Sequence, residues 1–347
     1  MGLSRSFWRN KNVFVTGHTG FKGGWLCLWL ELLGAKVTGY ALRPPTLPSF
    51  YESACVGKGL RSITANIEDG ARLTEEIKRA KPEIIFHLAA QSLVKESYRD
   101  PMGTYRTNVN GAVNLLQAAR EVKSIRALTL VTSDKCYENS GKPKYYKEED
   151  PLGGFDPYSS SKACQEILAA AWRNSFNIPI ATARAGNVIG GGDWAKDRLV
   201  PDIMRALLAK KTILIRRPKA IRPWQHVLDP LYGYLLLAEN LYKKKEAFAG
   251  PWNFGPASKA PKPVSWIVER LVSSWGAGAR WKIVASPHHE APDLRLDASK
   301  ALKKLGWKSR LEINEALEWS VEWVRCYEKN GDIRNLSLSQ IRRYESL

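Results

Sequence analysis

Tyr158 and Lys162 stand four residues apart in the run Asp156-Pro157-Tyr158-Ser159-Ser160-Ser161-Lys162, downstream of Ser133-Asp134-Lys135. On a helix, that spacing puts both side chains on one face. An ammonium beside a phenol favours the phenolate, so the Tyr158 pKa is expected to fall from about 10 towards neutrality. Tyr158 is then a candidate general base for a substrate hydroxyl, and Ser133 can hold that hydroxyl by a hydrogen bond. A solvated helix face would show the same spacing, so the chemistry needs a nucleotide site elsewhere in the chain.

Such a site stands near the N-terminus. A short apolar strand runs into Thr16-Gly17-His18-Thr19-Gly20-Phe21-Lys22-Gly23 and then into an apolar helical stretch ending at Leu33. Glycines 17, 20 and 23 permit a tight turn, close backbone approach to a pyrophosphate, and close helix–strand packing. The helix N-terminus adds N–H donors for phosphate oxygens. Strand, glycine turn and helix in this order predict dinucleotide binding.

The elements that must carry these groups follow from periodicity. Candidate strands are Asn12–Thr16, Lys36–Ala41, Ser62–Ala65, Glu83–Leu88, Arg126–Thr132 and Ile180–Arg184. Helical patterns fall between them, at Gly24–Leu33, Ala71–Ala80, Pro101–Val122 and Pro157–Phe176. Strands alternating with helices predict an α/β fold, a Rossmann-type doubly wound parallel sheet. The alternation stops after residue 186, where Gly190-Gly191-Gly192 and several prolines mark irregular chain. Further helices are expected at Pro201–Ala209, Val227–Tyr242, Pro263–Trp275, Ala298–Leu305 and Ile313–Lys329. The expected organisation is a discontinuous dinucleotide-binding domain (1–186 and 226–250) with a smaller, partly helical C-terminal substrate domain (187–225 and 251–330). Residues 331–347 read as a polar tail.

Composition bounds the rest. The 347 residues, 44% hydrophobic and 25% charged, are those of an ordinary globular protein. No apolar run approaches the ~20 residues of a membrane span. Met1–Lys11 is short and polar, unlike a secretory signal, and the five scattered cysteines show no metal-ligand spacing. A cytoplasmic protein with reduced thiols and no bound metal is expected. The net charge of +19 raises a nucleic-acid or membrane role, but the basic residues are dispersed and not interleaved with aromatics. No nucleic-acid or membrane partner is therefore expected, and part of the charge would steer a diphosphate substrate. The 13 tryptophans, with pairs at 25/29 and 319/323, read as packing residues.

Taken together, these motifs resemble the extended short-chain dehydrogenases/reductases acting on nucleotide sugars. They are most similar to the CDP-glucose branch of the 4,6-dehydratases. The resemblance runs from about Asn12 to Trp323. It rests on the 16–23 turn, His87-Leu88-Ala89-Ala90-Gln91, Thr132–Asn139, Tyr158–Lys162, Arg184–Trp194 and Arg222-Pro223-Trp224-Gln225-His226. It implies NAD as cofactor, CDP-glucose or a related nucleotide sugar as substrate, and a homodimer or homotetramer. It also implies C4 oxidation with Tyr158 as base, loss of water across C5 and C6, and hydride return to C6. Asp134 matches the acid that protonates the departing 6-hydroxyl. Lys135 stands where related dTDP-glucose enzymes carry a glutamate base; it would either remove the C5 proton as a neutral amine or stabilise the enolate as a cation.

The cofactor set implied by the resemblance is Gly17, His18, Gly20, Phe21, Lys22, Gly23, Arg43, Asn66, Ile67, Leu88, Ala89, Ala90, Gln91, Asn108, Thr132, Tyr158 and Lys162. Asn187, Gly192, Arg198, Leu199 and Arg222 are the substrate set, the arginines suiting a diphosphate. The chain departs from the family pattern in two places. Tyr40-Ala41-Leu42-Arg43-Pro44 lacks the carboxylate that usually holds the adenosine ribose, and Arg43 would suit a 2′-phosphate, so NADP is an alternative. Asn66 stands where relatives carry aspartate, and its amide oxygen can still accept from adenine. Two other functions compete: a nucleotide-sugar 4-epimerase or decarboxylase on the same scaffold, and a non-catalytic dinucleotide-sensing protein that binds polyanions.

Overall fold

The computed structural model describes residues 2–139, 141, 144–256, 262–276, 278–284 and 294–347. Its centre is a seven-stranded sheet. The strands are β1 (Asn12–Thr16), β2 (Lys36–Ala41), β3 (Arg61–Thr64), β4 (Ile84–His87), β5 (Ala127–Val131), β6 (Ile180–Ala185) and β7 (Gly250–Phe254). Their order across the sheet is β7-β6-β5-β4-β1-β2-β3, and every pairing is parallel. Crossover helices cover both faces, so β1, β4, β5 and β6 are buried almost throughout, as parallel strands must be. The order reverses beside β1, and ligands bind such sheets at the carboxyl ends near that point.

The six predicted strands are present to within a residue or two, and the seventh was not expected. β7 is short and contains Pro251, which reads as a strand breaker. At the sheet edge it pairs only with β6, so the missing N–H faces no ladder partner. The helix expected over Pro101–Val122 is three pieces: Pro101–Tyr105, a π turn at Arg106–Asn110, and Gly111–Arg120. The π turn opens the ladder, and the Asn108 carbonyl accepts from Gln165 Nε2 at 2.7 Å.

The segment read as a polar tail is a helix, Ile333–Glu345. Ile333, Ser337, Gln340, Ile341 and Tyr344 recur at helical spacing and are buried. Three of the five are polar, which hid the stripe. Each finds a partner: Gln340 Nε2 donates to the Trp319 carbonyl, Ser337 Oγ accepts from Trp323 Nε1, and Tyr344 Oη donates to Asp229. The tryptophans are packing residues as expected, with Trp8, Trp25, Trp29, Trp252, Trp307 and Trp323 fully buried. Among the described residues, no helix is long and apolar enough to cross a membrane.

Three histidines are buried away from water: His18, His87 and His226. Burial lowers their pKa values to about 4, 3 and 3. The unfolded chain therefore binds more protons than the native one between those values and 6.5, and stability is lost as pH falls through that window. Asp229, raised by burial to about 6, opposes the trend by gaining its proton first in the native state. Three groups against one leave a net loss on the order of 4 kcal/mol between pH 7 and pH 5. Urea midpoints at the two pH values should show this, and His226→Asn should flatten the dependence by nearly half. Equal midpoints would exclude it.

Candidate active site

Because all seven strands are parallel, the residues following them share one edge of the sheet. Gly17, Leu42-Arg43, Asn66, Leu88–Ala90, Ser133 and Gly186-Asn187 all line one open cleft of about 2240 Å³. Among the described residues, twelve lysines and arginines face five aspartates on its wall, so part of the basic excess is concentrated here.

The glycine turn is built tightly. Gly17 has φ +78°, and a Cβ on it would stand 2.6 Å from the Ala89 nitrogen. A Cβ on Gly23 would stand 2.1 Å from the Gly17 carbonyl oxygen. Gly20 caps the helix Phe21–Leu32, whose first N–H groups open towards the cleft. This cradle, with Ile67 and Ala89 further along the wall, fits a dinucleotide whose phosphates meet backbone N–H groups.

Tyr158 and Lys162 lie on the helix Pro157–Phe176, capped by Asp156, whose carboxylate accepts from the Ser159 N–H at 2.9 Å and the Ser159 hydroxyl at 2.7 Å. Past β5 the chain forms a single 3-10 turn, Asp134–Cys136, started by the Ser133 hydroxyl accepting from the Lys135 N–H at 3.2 Å. The Ser133 hydroxyl also donates to Asp134 at 2.9 Å and lies within hydrogen-bond reach of the Tyr158 phenol. A phenol, a hydroxyl and a carboxylate thus converge on one point of the cleft.

Their electrostatics differ from the expectation for Tyr158. Burial, the largest cause, pushes its pKa up to about 12, against the smaller pull of the Ser133 hydrogen bond. The same burial lowers Lys162 to about 7. The lysine ammonium is already committed, donating to Gln165 Oε1 at 2.9 Å and to the Val131 carbonyl at 3.3 Å. Sharing a helix face therefore puts both groups on the cleft wall without making the phenol acidic, because burial penalises the charged form of each. Asp134 is raised by burial, against the charges of Lys135, Lys22 and Arg222 and the Ser133 bond. A raised carboxyl suits a proton donor.

Three residues expected at the cofactor face elsewhere. His18 is fully buried, its Nε2 at 2.7 Å from Ser62 Oγ and its ring edge-on to Tyr51. The left-handed turn at Gly17 sends its side chain under β2, where the absence of a side chain at Gly39 makes room for the ring. Gln91 spends its amide nitrogen on the Leu93 carbonyl and on Thr104 Oγ1 of the helix Pro101–Tyr105. Asn108 is fully buried and donates to the Gln91 carbonyl and Ser161 Oγ. Asn108 and Gln91 fix the wall rather than form it.

The remaining predicted residues line the cleft. Lys22 is lowered to about 8 by burial and then by the Arg198 charge, which places it near Arg198 as well as in the glycine turn. Arg43 and Asn66 are exposed at the rim. Thr132 reaches the wall, but its hydroxyl donates inward to Glu166 at 2.5 Å. Arg198 spans the cleft, one nitrogen donating to Asp193 at 3.2 Å and the other to Ser92 Oγ at 3.1 Å. Arg222 is close enough to act on the charge of Asp134. Gly192, at φ +83°, packs on the Phe50 ring, and Asn187 and Leu199 complete that side. Ser92, Asp193 and Gln165 were missed. Asp193 stood five residues before Arg198, a spacing that carries no signal in irregular chain.

The family described as the NAD dependent epimerase/dehydratase family matches residues 13–250. The chain is 47% identical to the CDP-glucose 4,6-dehydratase of Salmonella typhimurium, over 99% of both chains. It is 26% identical to a probable dTDP-glucose 4,6-dehydratase of Sinorhizobium fredii, over 92% of this chain and 93% of that one. Among solved structures, the UDP-glucuronic acid 4-epimerase of Bacillus cereus shares the fold at TM-score 0.80 and 22% identity, covering 91% of this chain and 99% of its own. A dTDP-glucose 4,6-dehydratase of Streptomyces venezuelae shares it at 0.78 and 23%, covering 90% and 96%. Matched by the family over residues 13–250 and by a relative over nearly the whole chain, the chain belongs to the NAD dependent epimerase/dehydratase family.

Proposed function

We propose that the protein is an NAD-dependent hydro-lyase that converts CDP-glucose to CDP-4-keto-6-deoxyglucose. The observation that carries this is the buried Asp134 carboxyl, held by Ser133 within reach of the same point as Tyr158. Epimerisation at C4 needs the tyrosine and no second acid; elimination of the 6-hydroxyl needs one. The full-length likeness to the Salmonella enzyme supports the CDP-sugar as substrate.

Each residue then has a defined task. Ser133 holds the sugar 4-hydroxyl, and Tyr158 takes its proton. Bound NAD would supply the acceptor for the C4 hydride and its later donor to C6, with a positively charged oxidised ring that favours the phenolate. Asp134 gives its proton to the departing 6-hydroxyl, which leaves as water. Lys135 has two chemistries open to it: as an amine it takes the C5 proton and returns it to C5 when hydride reaches C6, or as an ammonium it stabilises the enolate while a solvent base takes and returns that proton. Arg198, Arg222 and Asn187 hold the diphosphate, and Gly192 and Leu199 shape the adjoining wall. Residues 187–225 and 251–330 would form the sugar-nucleotide half of the cleft, opposite 1–186 and 226–250.

A panel of CDP-, UDP-, dTDP- and GDP-glucose tests the substrate, read by the alkaline absorbance of the 4-keto-6-deoxy product. CDP-glucose should give the highest kcat/KM. Another preferred base would reassign the substrate, and a C4 epimer in place of the keto sugar would make the protein an epimerase. Titration of the apo-protein with NAD and NADP tests the cofactor. NAD should bind more tightly, and Arg43→Ala should change its affinity by less than about twofold, because Arg43 is exposed at the rim. Tighter binding of NADP would overturn the assignment.

A further inference from the structure

Glu166 and Arg184 form a salt bridge at 2.8 Å with both side chains about 3% exposed. Such a pair is costly to bury and is weak evidence for stability by itself. Its other hydrogen bonds indicate what it does. Glu166 accepts from Thr132 Oγ1 at 2.5 Å and Thr182 Oγ1 at 2.6 Å. Arg184 donates from its other terminal nitrogen to Tyr137 Oη at 2.7 Å and to the Glu148 carbonyl at 3.1 Å. Thr132 immediately precedes Ser133, and Tyr137 immediately follows the Asp134–Cys136 turn. The short span that holds the reacting side chains is therefore tied at both ends to one ion pair.

We propose that Glu166 is a positioning residue: with Arg184, it fastens both ends of the Ser133–Lys135 segment to the helix that carries Tyr158 and Lys162. This rests on the dehydratase reading above. Glu166 lies one turn after Lys162 on that helix, so a shift of the turn relative to the helix would break bonds to the same carboxylate. The span has only one 3-10 turn of its own, too little structure to hold Asp134 against the phenol. Arg184 stands on β6, which joins the sheet to the arrangement.

Glu166 also acts on Lys162 through charge. Lys162 is faced by Glu166 from its own helix, by Cys136 from the turn, by Lys22 from the glycine turn and by His87 from the end of β4. Of these, Glu166 is the carboxylate, and it opposes the loss of the ammonium proton that burial and Lys22 favour.

Three variants of the full chain test the proposal. Tyr137→Phe removes the far tie, and with it the bond from Tyr137 Oη to Asn253 Oδ1, without breaking the Glu166–Arg184 ion pair, and should lower kcat about tenfold with KM changed less than about twofold. Thr182→Val removes a bond to Glu166 that does not lead to the turn, and kcat should stay within about threefold. Glu166→Gln keeps shape and loses charge; Lys162, followed by NMR with isotope-labelled lysine and no substrate, should lose its proton about one pH unit lower. A purely structural ion pair would move melting temperature and neither of these readouts. Wild-type kcat in Tyr137→Phe, or an unmoved Lys162 titration in a folded Glu166→Gln, overturns the proposal. Should Glu166→Gln fail to fold, Tyr137→Phe decides alone. Failure of the dehydratase reading would appear separately, as no turnover of CDP-glucose by the unmodified protein.

Discussion

Tyr158→Phe is expected to lower kcat by about 10²–10⁴-fold, the usual worth of a positioned general base, with substrate and cofactor affinities nearly unchanged. The substitution removes one oxygen from a side chain that is 9% exposed and leaves the ring volume in place. The oxygen removed is the one within reach of Ser133, at the point where the phenol, hydroxyl and carboxyl converge. Steady-state kinetics on CDP-glucose, with isothermal titration of cofactor and product, separates kcat from binding. A residual rate above about a tenth of wild type would show that another group takes the proton.

Asp134→Asn should divide the reaction at its midpoint. Asparagine keeps the size of the side chain, which matters because a Cβ on Gly186 would stand only 3.0 Å from Asp134 Oδ2 and the packing there is close. It keeps a contact to Ser133 but has no acidic proton to give. Oxidation at C4 depends on Tyr158 and should persist, whereas loss of the 6-hydroxyl should slow by about 10²–10³-fold. Mass spectrometry of a quenched single turnover should find a sugar lacking two hydrogens but still carrying its 6-hydroxyl. Release of dehydrated product at the wild-type rate would remove Asp134 from the acid role.

The elements legible in the chain were those with a strong period or a glycine signature. β1 was read to the residue and its glycine turn was recognised, because only glycine fits at 17 and 23, but the helix begins at Phe21, three residues before the expected Gly24. The final helix was not, since its buried face is made of Ser337, Gln340 and Tyr344 as much as of Ile333 and Ile341. Hydropathy registers a polar residue as outward, and only the partner across the interface makes it an inward one.

The site divides in the same way. Residue types and spacing determined by themselves that Tyr158 and Lys162 share a helix face, that Ser133 and Asp134 end a parallel strand, and that a nucleotide turn precedes both. These are consequences of local geometry, 3.6 residues per turn and one chain direction per strand. Tertiary structure alone decided where side chains point and what charge they carry. His18, within the nucleotide turn, lies under β2 because Gly39 leaves room there. Tyr158 sits at about 12 rather than near neutrality, and Lys162 at about 7, because burial penalises the charged form of each. Glu166 binds the turn through Thr132, and Arg184 through Tyr137, by contacts between residues 34 and 47 positions apart. Desolvation and long-range hydrogen bonding depend on everything that surrounds a group, and a linear chain does not state its surroundings.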